Sequence, residues 1–152
     1  MAPSTPKRTL IRNALVAALQ GIAADAVYHT DLGDHVDAWR ALKSKPWQGS
    51  ELPACNVRDM FAQVLLEQTG GSKNFWHNRL TVEIDIGCND IDTFTNCVAD
   101  IFTAIDVDPT LGGIAIDTNA VGYSPDVDQE EKIVVGGLLT LTVDYSTDRL
   151  AA

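Results

Sequence analysis

Residues 80–86 read LTVEIDI, and this strict alternation of apolar and polar side chains decides the fold class. Successive side chains of a β-strand point to opposite faces, so the four apolar residues share one buried face. The polar residues between them, which include Glu83 and Asp85, share a solvent-facing, acidic face. Residues 139–145 (LTLTVDY) repeat the pattern. One-sided alternation predicts an antiparallel-rich sheet that is covered on one side only.

Two amphipathic helices are predicted to cover that side. The first spans residues 6–24, with Pro6 at its first helical position and Ser4 or Thr5 as its N-cap. Its apolar residues recur at intervals of three and four, which places them on one stripe of the helix.

The second helix follows the alternating strand. Asp90 or Asp92 is expected to cap its N-terminus, and its apolar residues again form one stripe. Residues 121–127 and 133–146 then alternate in polarity, which predicts an antiparallel hairpin with an acidic turn at residues 126–131.

The rest of the first half is patterned less regularly. Residues 26–28 suit a short strand, residues 52–58 suit a strand entered through a proline, and residues 69–74 suit a loop. Periodicity leaves two stretches open. Residues 36–42 fit a strand or a helical turn, and residues 60–67 fit a helix or an edge strand.

This order of elements predicts a single α+β domain over residues 1–152. Its architecture is a sandwich of a mostly antiparallel or mixed β-sheet with two main amphipathic helices packed on one face. Residues 1–5 and 147–152 are expected to be flexible termini. A chain of 152 residues buries enough surface to form a core without disulfides or metal.

The net charge of −10 is divided unevenly along the chain. Residues 1–79 contain nine basic and seven acidic side chains, whereas residues 80–152 contain two basic and fourteen acidic ones, which gives +2 and −12. Phosphate binding depends on clustered Lys and Arg. The acidic half therefore argues against a surface that grips nucleic acid or an anionic membrane.

The sequence shows no constellation typical of catalysis or metal binding. Cys55, Cys88 and Cys97 form no CxxC pair and are expected to be buried thiols in a reducing compartment. A G-x-S-x-G nucleophile motif and a complete phosphate-binding loop are both absent from the sequence. The acidic turn begins like a calcium loop at Asp126, but Glu131 replaces the glycine required at its sixth position. We therefore expect no enzyme, no cofactor and no metal site.

Four aromatic residues fall in the poorly patterned segments: Trp39, Trp47, Phe75 and Trp76. Aromatic residues in loops often cover a core, and they are also the residue type that anchors protein interfaces. The sequence leaves both roles open, and these four are the candidate interface anchors.

The order of motifs along the whole chain resembles the lambda-like tail terminator family of long-tailed bacteriophages, also called minor tail or tail completion proteins. The motifs that support this resemblance are residues 10–15 (LIRNAL), 52–57 (LPACNV), 80–86 with the helix that follows, 111–113 (LGG), 126–130 (DVDQE) and 139–145 (LTLTVDY). Their order and spacing together are more specific than any one of them.

The resemblance implies a structural virion protein without catalytic residues. Proteins of that family form rings, usually hexameric, which bind the last ring of tail tube subunits, stop tube polymerisation and present the surface that joins the tail to the head. The implied partners are further copies of this chain, the tail tube protein and a head–tail connector or neck protein. DNA would pass through without specific binding, and no membrane is involved. The implied location is the tail or neck of the virion, after assembly in the host cytoplasm.

In such a ring, the acidic residues can be assigned to the surface that faces the DNA. A closed ring needs one patch of a subunit to meet a different patch of its neighbour, and an acidic lumen repels DNA. The hairpin turn or the polar strand face is therefore expected to line or rim the DNA channel. The candidate channel acids are Glu83, Asp85, Asp126, Asp128, Glu130 and Glu131. A solvated surface that only keeps the domain soluble is the alternative.

Two other classes of protein stay open at this point. One is another neck, connector or tail tube protein of the same machinery, because a similar fold does not fix a function. The other, which the residues favour less, is a small cation-binding domain that uses the acidic turn.

Overall fold

The computed structural model describes residues 3–65, 75–127 and 135–148. Its helices are α1 (Lys7–Gln20) and α2 (Ile91–Val107), and its strands are β1 (Val36–Ala38), β2 (Ala54–Val64), β3 (Phe75–Cys88), β4 (Asp117–Val127) and β5 (Val135–Asp148). Two short 3-10 turns, Leu32–Asp34 and Gly49–Glu51, precede β1 and β2.

The strands form one mixed sheet in the order β1-β2-β3-β5-β4. β3 occupies the centre and pairs antiparallel with β2 and β5, while β4 pairs antiparallel with β5 as predicted for the hairpin. The short β1 is parallel to β2. One mixed sheet and two helices confirm the predicted α+β fold. The connection between β4 and β5, with most of the predicted acidic turn, lies outside the described residues.

The core lies between the helices and one face of the sheet. Ile84 of β3 sits between Val57 of β2 and Leu139 of β5, and all three side chains are fully buried. The residues that the helices bury against this face are Ile11, Leu15, Leu19, Phe94, Cys97, Val98 and Ile101. Burial of each large aliphatic side chain contributes roughly 1.5–3 kcal/mol. The polar residues 81, 83 and 85 are only partly buried, so the predicted alternation is confirmed.

The two helix starts differ in how well the sequence predicted them. Asp90 caps α2, since its side chain accepts a hydrogen bond of 2.7 Å from the Thr93 backbone N–H, as expected. α1 begins one residue later than predicted. Pro6 occupies the N-cap position, without a side-chain cap, so the predicted cap from Ser4 or Thr5 is wrong. Of the helices in the described parts of the chain, none has the length and apolar character needed to cross a membrane.

The strand predicted at residues 26–28 does not form. The carboxylate of Asp25 accepts hydrogen bonds from the backbone N–H groups of Val27 and Tyr28, at 2.6 and 2.9 Å. Such local bonds give the backbone an alternative to a sheet ladder, and the segment is a turn with one isolated bridge between Ala24 and Tyr28. Three residues of types that suit a strand are too short a signal to reveal this competition.

The two stretches left open by periodicity both contain a strand, although residues 39–42 of the first leave it in a bend and a turn. The first contains β1, and the second continues β2 as far as Val64. β5 runs through Thr147 and Asp148, which the sequence assigned to a flexible terminus, because both residues pair with the start of β3. The predicted loop at residues 69–74 lies outside the described residues.

A glycine on the core face of β5 makes room for the largest side chain of α2. A Cβ atom added to Gly137 would overlap the ring of Phe94, whereas one added to the neighbouring Gly136 would lie 3.7 Å from its nearest atom. We expect Gly137→Ala to lower the free energy of unfolding by about 1–3 kcal/mol, the usual cost of overpacking. Gly136→Ala is the matched control and should change it by less than about 0.5 kcal/mol. Chemical denaturation measures both, and equal effects would contradict this packing.

Candidate interaction surfaces

The face of the sheet opposite the helices is polar and internally ion-paired. Arg58 of β2 contacts Asp85 through Nε at 2.8 Å and Nη2 at 2.9 Å, and it contacts Glu83 at 3.1 Å. The hydrogen-bonded carboxylate of Asp85 raises the pKa of Arg58 above its ordinary value. Two of the predicted channel acids therefore share one guanidinium, and the acidic strand face has a smaller net charge than its own sequence suggests.

A long segment before β2 folds over this polar face. The ring of Trp47 lies on Gly87, where a Cβ atom would collide with it. Arg40 fixes the segment through ion pairs with Asp37 at 3.1 Å and Glu51 at 3.0 Å. Trp47 is therefore a lid on the sheet, which is the structural role that the sequence left open beside an interface role.

A cleft of about 610 Å³ opens on the polar face between Trp47 and β4. Arg58 and Asp85 line it on one side, and the exposed Asp126 lines it on the other. The structure thus brings Asp126 to the same cleft as Asp85. The remaining predicted channel acids, Asp128, Glu130 and Glu131, lie outside the described residues.

A buried carboxylate joins α1 to β2, on the side of the sheet away from β4. Asp59 of β2 is 4% exposed. It accepts hydrogen bonds from Arg8 Nε at 2.8 Å and from Trp39 Nε1 at 2.7 Å, with Arg12 at 3.4 Å. Arg8 also donates to the carbonyl groups of Asp59 and Met60. Burial alone would raise the pKa of Asp59, but the bonds from Arg8 and Trp39 outweigh it and hold that pKa below its usual value.

Trp39 therefore has two roles at once. Its indole nitrogen is tied to Asp59, while half of the residue remains exposed. The other two candidate anchors lie at the start of β3. Phe75 is exposed, and Trp76 lines a groove of about 280 Å³ together with Val64 and Tyr145.

The two helices have opposite charge. α1 contains three basic side chains and no acidic one, and α2 contains three acidic side chains and no basic one. α1 packs on β1 and β2, whereas α2 packs on β3, β5 and β4. The uneven charge along the chain therefore becomes a difference between the two lateral edges of the molecule.

One lateral edge, the basic edge, is formed by Arg8, Arg12, Trp39 and Phe61. Phe61 is 67% exposed and lies at a bulge in β2. β1 pairs only with residues 55–57, so β2 itself is the sheet edge from there onward. With Asp59 beneath the two arginines, the net charge of this edge is about +1, as expected for two guanidinium groups and one carboxylate.

The other lateral edge, the acidic edge, is formed by Asp106, Asp108, Asp117, Val121 and Tyr123. All five residues are exposed. Val121 lies at a bulge in β4, and the ring of Tyr123 contacts Phe102 edge-on with the centroids 5.9 Å apart. Three inter-strand spacings separate β2 from β4, which is about 14 Å. That exceeds the Debye length of about 8 Å at physiological ionic strength, so the two edges do not neutralise each other.

Asp100 of α2 is the other buried carboxylate of the described residues, and it is 1% exposed. It accepts hydrogen bonds from the backbone N–H groups of His29 and Thr30, both at 2.8 Å, and from the Thr30 hydroxyl at 2.7 Å. These bonds fasten the segment before β1 to α2. Asp100 is therefore a structural residue, although it lies in an acidic helix.

The three cysteine thiols are buried, as the sequence predicted. Burial raises the pKa of Cys88 to about 11 and that of Cys97 to about 12, so both stay protonated at neutral pH. In residues 3–65, 75–127 and 135–148, no group of three or more His, Cys, Asp and Glu side chains is arranged to hold a metal ion.

No protein-family model and no curated protein matches this chain. Function is therefore inferred from the surfaces of the molecule and from the motifs of its sequence. The structure groups Glu83 and Asp85 around Arg58 with Asp126 nearby, and it separates Trp39 from Trp47. Sequence reasoning missed Asp59, Asp106 and Asp117. Only the run of basic residues in α1 could have indicated a charged edge, because the register of β2 and β4 cannot be read from composition.

The Asp59 cluster generates a pH-dependent prediction. Because the folded-state pKa of Asp59 lies below its unfolded value of about 3.9, its contribution to stability is present above about pH 4 and is lost as pH falls through the folded-state pKa. We expect Asp59→Asn to lower the free energy of unfolding by about 2 kcal/mol at pH 7, since Arg8 and Trp39 lose a charged acceptor.

Denaturant titrations of Asp59→Asn and of the parent chain between pH 3 and pH 7 measure this difference, which should shrink below about pH 4. Asp34→Asn, at an exposed position, is the control and should cost less than about 0.5 kcal/mol at every pH. A difference that does not depend on pH would show that the carboxylate charge of Asp59 is irrelevant.

Proposed function

We propose that this chain is a structural virion protein, a phage tail terminator that forms a ring, caps the tail tube and provides the surface that joins tail to head. The observation that supports it best is the opposite charge of the basic and acidic edges, which lie on opposite sides of one sheet. On this proposal the protein is not an enzyme, needs no cofactor, and resides in the tail or neck of the virion.

Opposite edges favour the kind of contact that closes a ring. In a cyclic ring each subunit presents one patch to its left neighbour and a different patch to its right neighbour. The acidic edge attracts the basic edge of another copy, whereas two acidic edges repel each other. A two-fold dimer through either edge is therefore disfavoured by its own charge. A head-to-tail arrangement is favoured.

The sequence resemblance supplies the rest of the proposal. The motifs at residues 10–15, 52–57 and 80–86 fall in α1, at the entry to β2 and in β3, which together build the core on which both edges depend. The hexameric ring, the tube protein as partner and the connector or neck protein as second partner are taken from that resemblance. DNA is expected to pass through without specific binding.

Ring formation and tube capping test this proposal directly. We expect the purified chain to form single closed rings, seen by light scattering and negative-stain electron microscopy, alone or on the ends of tubes of the tail tube protein. Added to polymerising tube protein, it should shorten the tubes. Higher salt should weaken the rings, because the attraction between exposed charges is screened beyond the Debye length, which is about 10 Å at 0.1 M salt and shortens as salt is added. Open-ended polymers of this chain would instead identify a tube subunit. A chain that neither oligomerises nor binds tubes would contradict both the terminator role and the tube-subunit role.

The ion pairs on the polar face reduce the number of acids that we expect to line the DNA channel. Glu83 and Asp85 share Arg58, so the exposed Asp126 and the acids of the hairpin turn are the stronger candidates for a wall that repels DNA. We expect Asp126→Lys combined with Asp128→Lys, Glu130→Lys and Glu131→Lys to leave particles assembled but to slow DNA ejection at least about tenfold, since Lys binds phosphate.

The matched control changes the same four positions to Asn or Gln, which removes the negative charge without adding a positive one. Its ejection rate, measured by the release of DNA from purified particles, should lie between that of the parent and that of the lysine variant. Equal ejection rates in all three kinds of particle would exclude these acids from the channel wall.

A further inference from the structure

Both helices end in charges that oppose their own dipoles. α1 begins with Lys7 and Arg8 at its positive end, and its first turn contains no acidic residue. α2 ends near Asp106 and Asp108 at its negative end, and its last turn contains no basic residue. The same charges, exchanged between the two helix ends, would stabilise both. The end of α2 is therefore suited to a cationic group supplied from outside the chain, whereas Asp59 of this chain already pairs with Arg8 at the start of α1.

The end of α2 also borders a groove. A depression of about 240 Å³ lies between α2 and β4, lined by Phe102, Ile105, Asp106, Thr118 and Ala120, among others. Its walls combine an aromatic and an aliphatic side chain with a carboxylate, and Tyr123 stands beside Phe102. Apolar walls with an acidic rim fit an aromatic side chain that has a guanidinium next to it.

A second like-charge pair lies across β4 and β5, on the face of the sheet away from the groove. Asp117 of β4 is directly opposite Asp144 of β5, and Asp144 is already paired with Arg79 at 2.8 Å. Like charges directly across a strand pair destabilise a sheet. A cation brought to Asp117 by a partner would relieve this repulsion as well as the one at the end of α2.

The basic edge of the same chain offers the complementary groups. Phe61 and Trp39 are aromatic and at least half exposed, and the side chains of Arg8 and Arg12 retain 39% and 28% of their accessible surface although Asp59 accepts bonds from both. Arg and Trp are the residue types most enriched where protein interfaces are strongest.

The two edges differ in their level along the strands. Asp59 is paired with Val82 of β3. Asp117 is paired with Asp144 of β5, which is in turn paired with Arg79 of β3. Three residues of β3 separate these levels, which is about 10 Å. A rotation preserves height along its own axis, so the axis that brings the acidic edge of one copy against the basic edge of the next is inclined to the strands.

We propose that the groove between α2 and β4 receives the basic edge of a second copy of this chain, with Arg12 facing Asp106 and with Phe61 and Trp39 against the apolar walls. The contact is made by side chains instead of by strand pairing, because the bulge at Val121 and Pro125 interrupt the ladder of β4. This inference rests on the proposed ring, to which it assigns the subunit interface.

Two variants, each with one edge altered, test this interface. Asp106→Lys with Asp117→Lys alters the acidic edge only, and Arg12→Glu with Phe61→Glu alters the basic edge only. Each variant alone should stay monomeric, or assemble at least about 100-fold more weakly than the parent, because every contact needs one intact edge of each kind. Mixed together they should form a 1:1 complex, since the intact basic edge of the first variant meets the intact acidic edge of the second.

The control is Asp34→Lys with Asp92→Lys. It makes the same change in net charge as the first variant, at two exposed acids away from the acidic edge, and it should assemble like the parent. Circular dichroism confirms folding. Phe61→Glu alone, at a position that is 67% exposed, replaces the second variant if the loss of Arg12 unfolds the chain.

The outcomes separate this inference from the proposed function. If the parent forms rings and both variants form them too, or if mixing the variants yields no new species, the interface assigned here is wrong and the ring stands. If the parent stays monomeric with and without the tail tube protein, the ring and its interface both fail.

Discussion

Burial of the apolar side of β3 is the interaction on which the rest of the structure depends. Ile84 and its neighbours at alternate positions are fully buried. β2 and β5 flank them within the sheet, and the two helices cover them. Because both helices lie on that face, the opposite face stays polar and the two lateral edges stay open. The surfaces of functional interest are thus a consequence of a sheet that helices cover on one side only.

The second organising feature is the separation of charge between the helices. α1 covers β1 and β2 and contains only basic charged residues, while α2 covers β3, β5 and β4 and contains only acidic ones. Within one chain this arrangement gains little, since the helix ends oppose their dipoles and Asp117 faces Asp144. Between copies the same arrangement is favourable. In the proposed head-to-tail arrangement, the acidic end of α2 would meet the basic edge of another copy.

The polar face shows how partners modify a sequence-based expectation. Glu83 and Asp85 are acidic in the alternating strand, but Arg58, which lies 25 residues before Glu83 in the sequence, shares its charge with both. Trp47 and Trp39 are both tryptophans of the same poorly patterned segment. One covers Gly87 as a lid, and the other leaves half of its surface exposed beside Asp59. Only the contacts distinguish these roles.

The sequence by itself determined the α+β class, the central strand, a helix cap at Asp90 or Asp92, the β4–β5 hairpin and the buried thiols. These features follow from local periodicity, capping chemistry and composition, all of which act between residues close in the chain. It failed at residues 26–28, where Asp25 competes for the backbone, and at the start of α1. Only the tertiary structure decided which acids are neutralised, which tryptophan is a lid, and where the two charged edges lie. The reason is that strand register and helix placement bring together residues such as Arg8 and Asp59, which are 51 positions apart, and no local pattern encodes that distance.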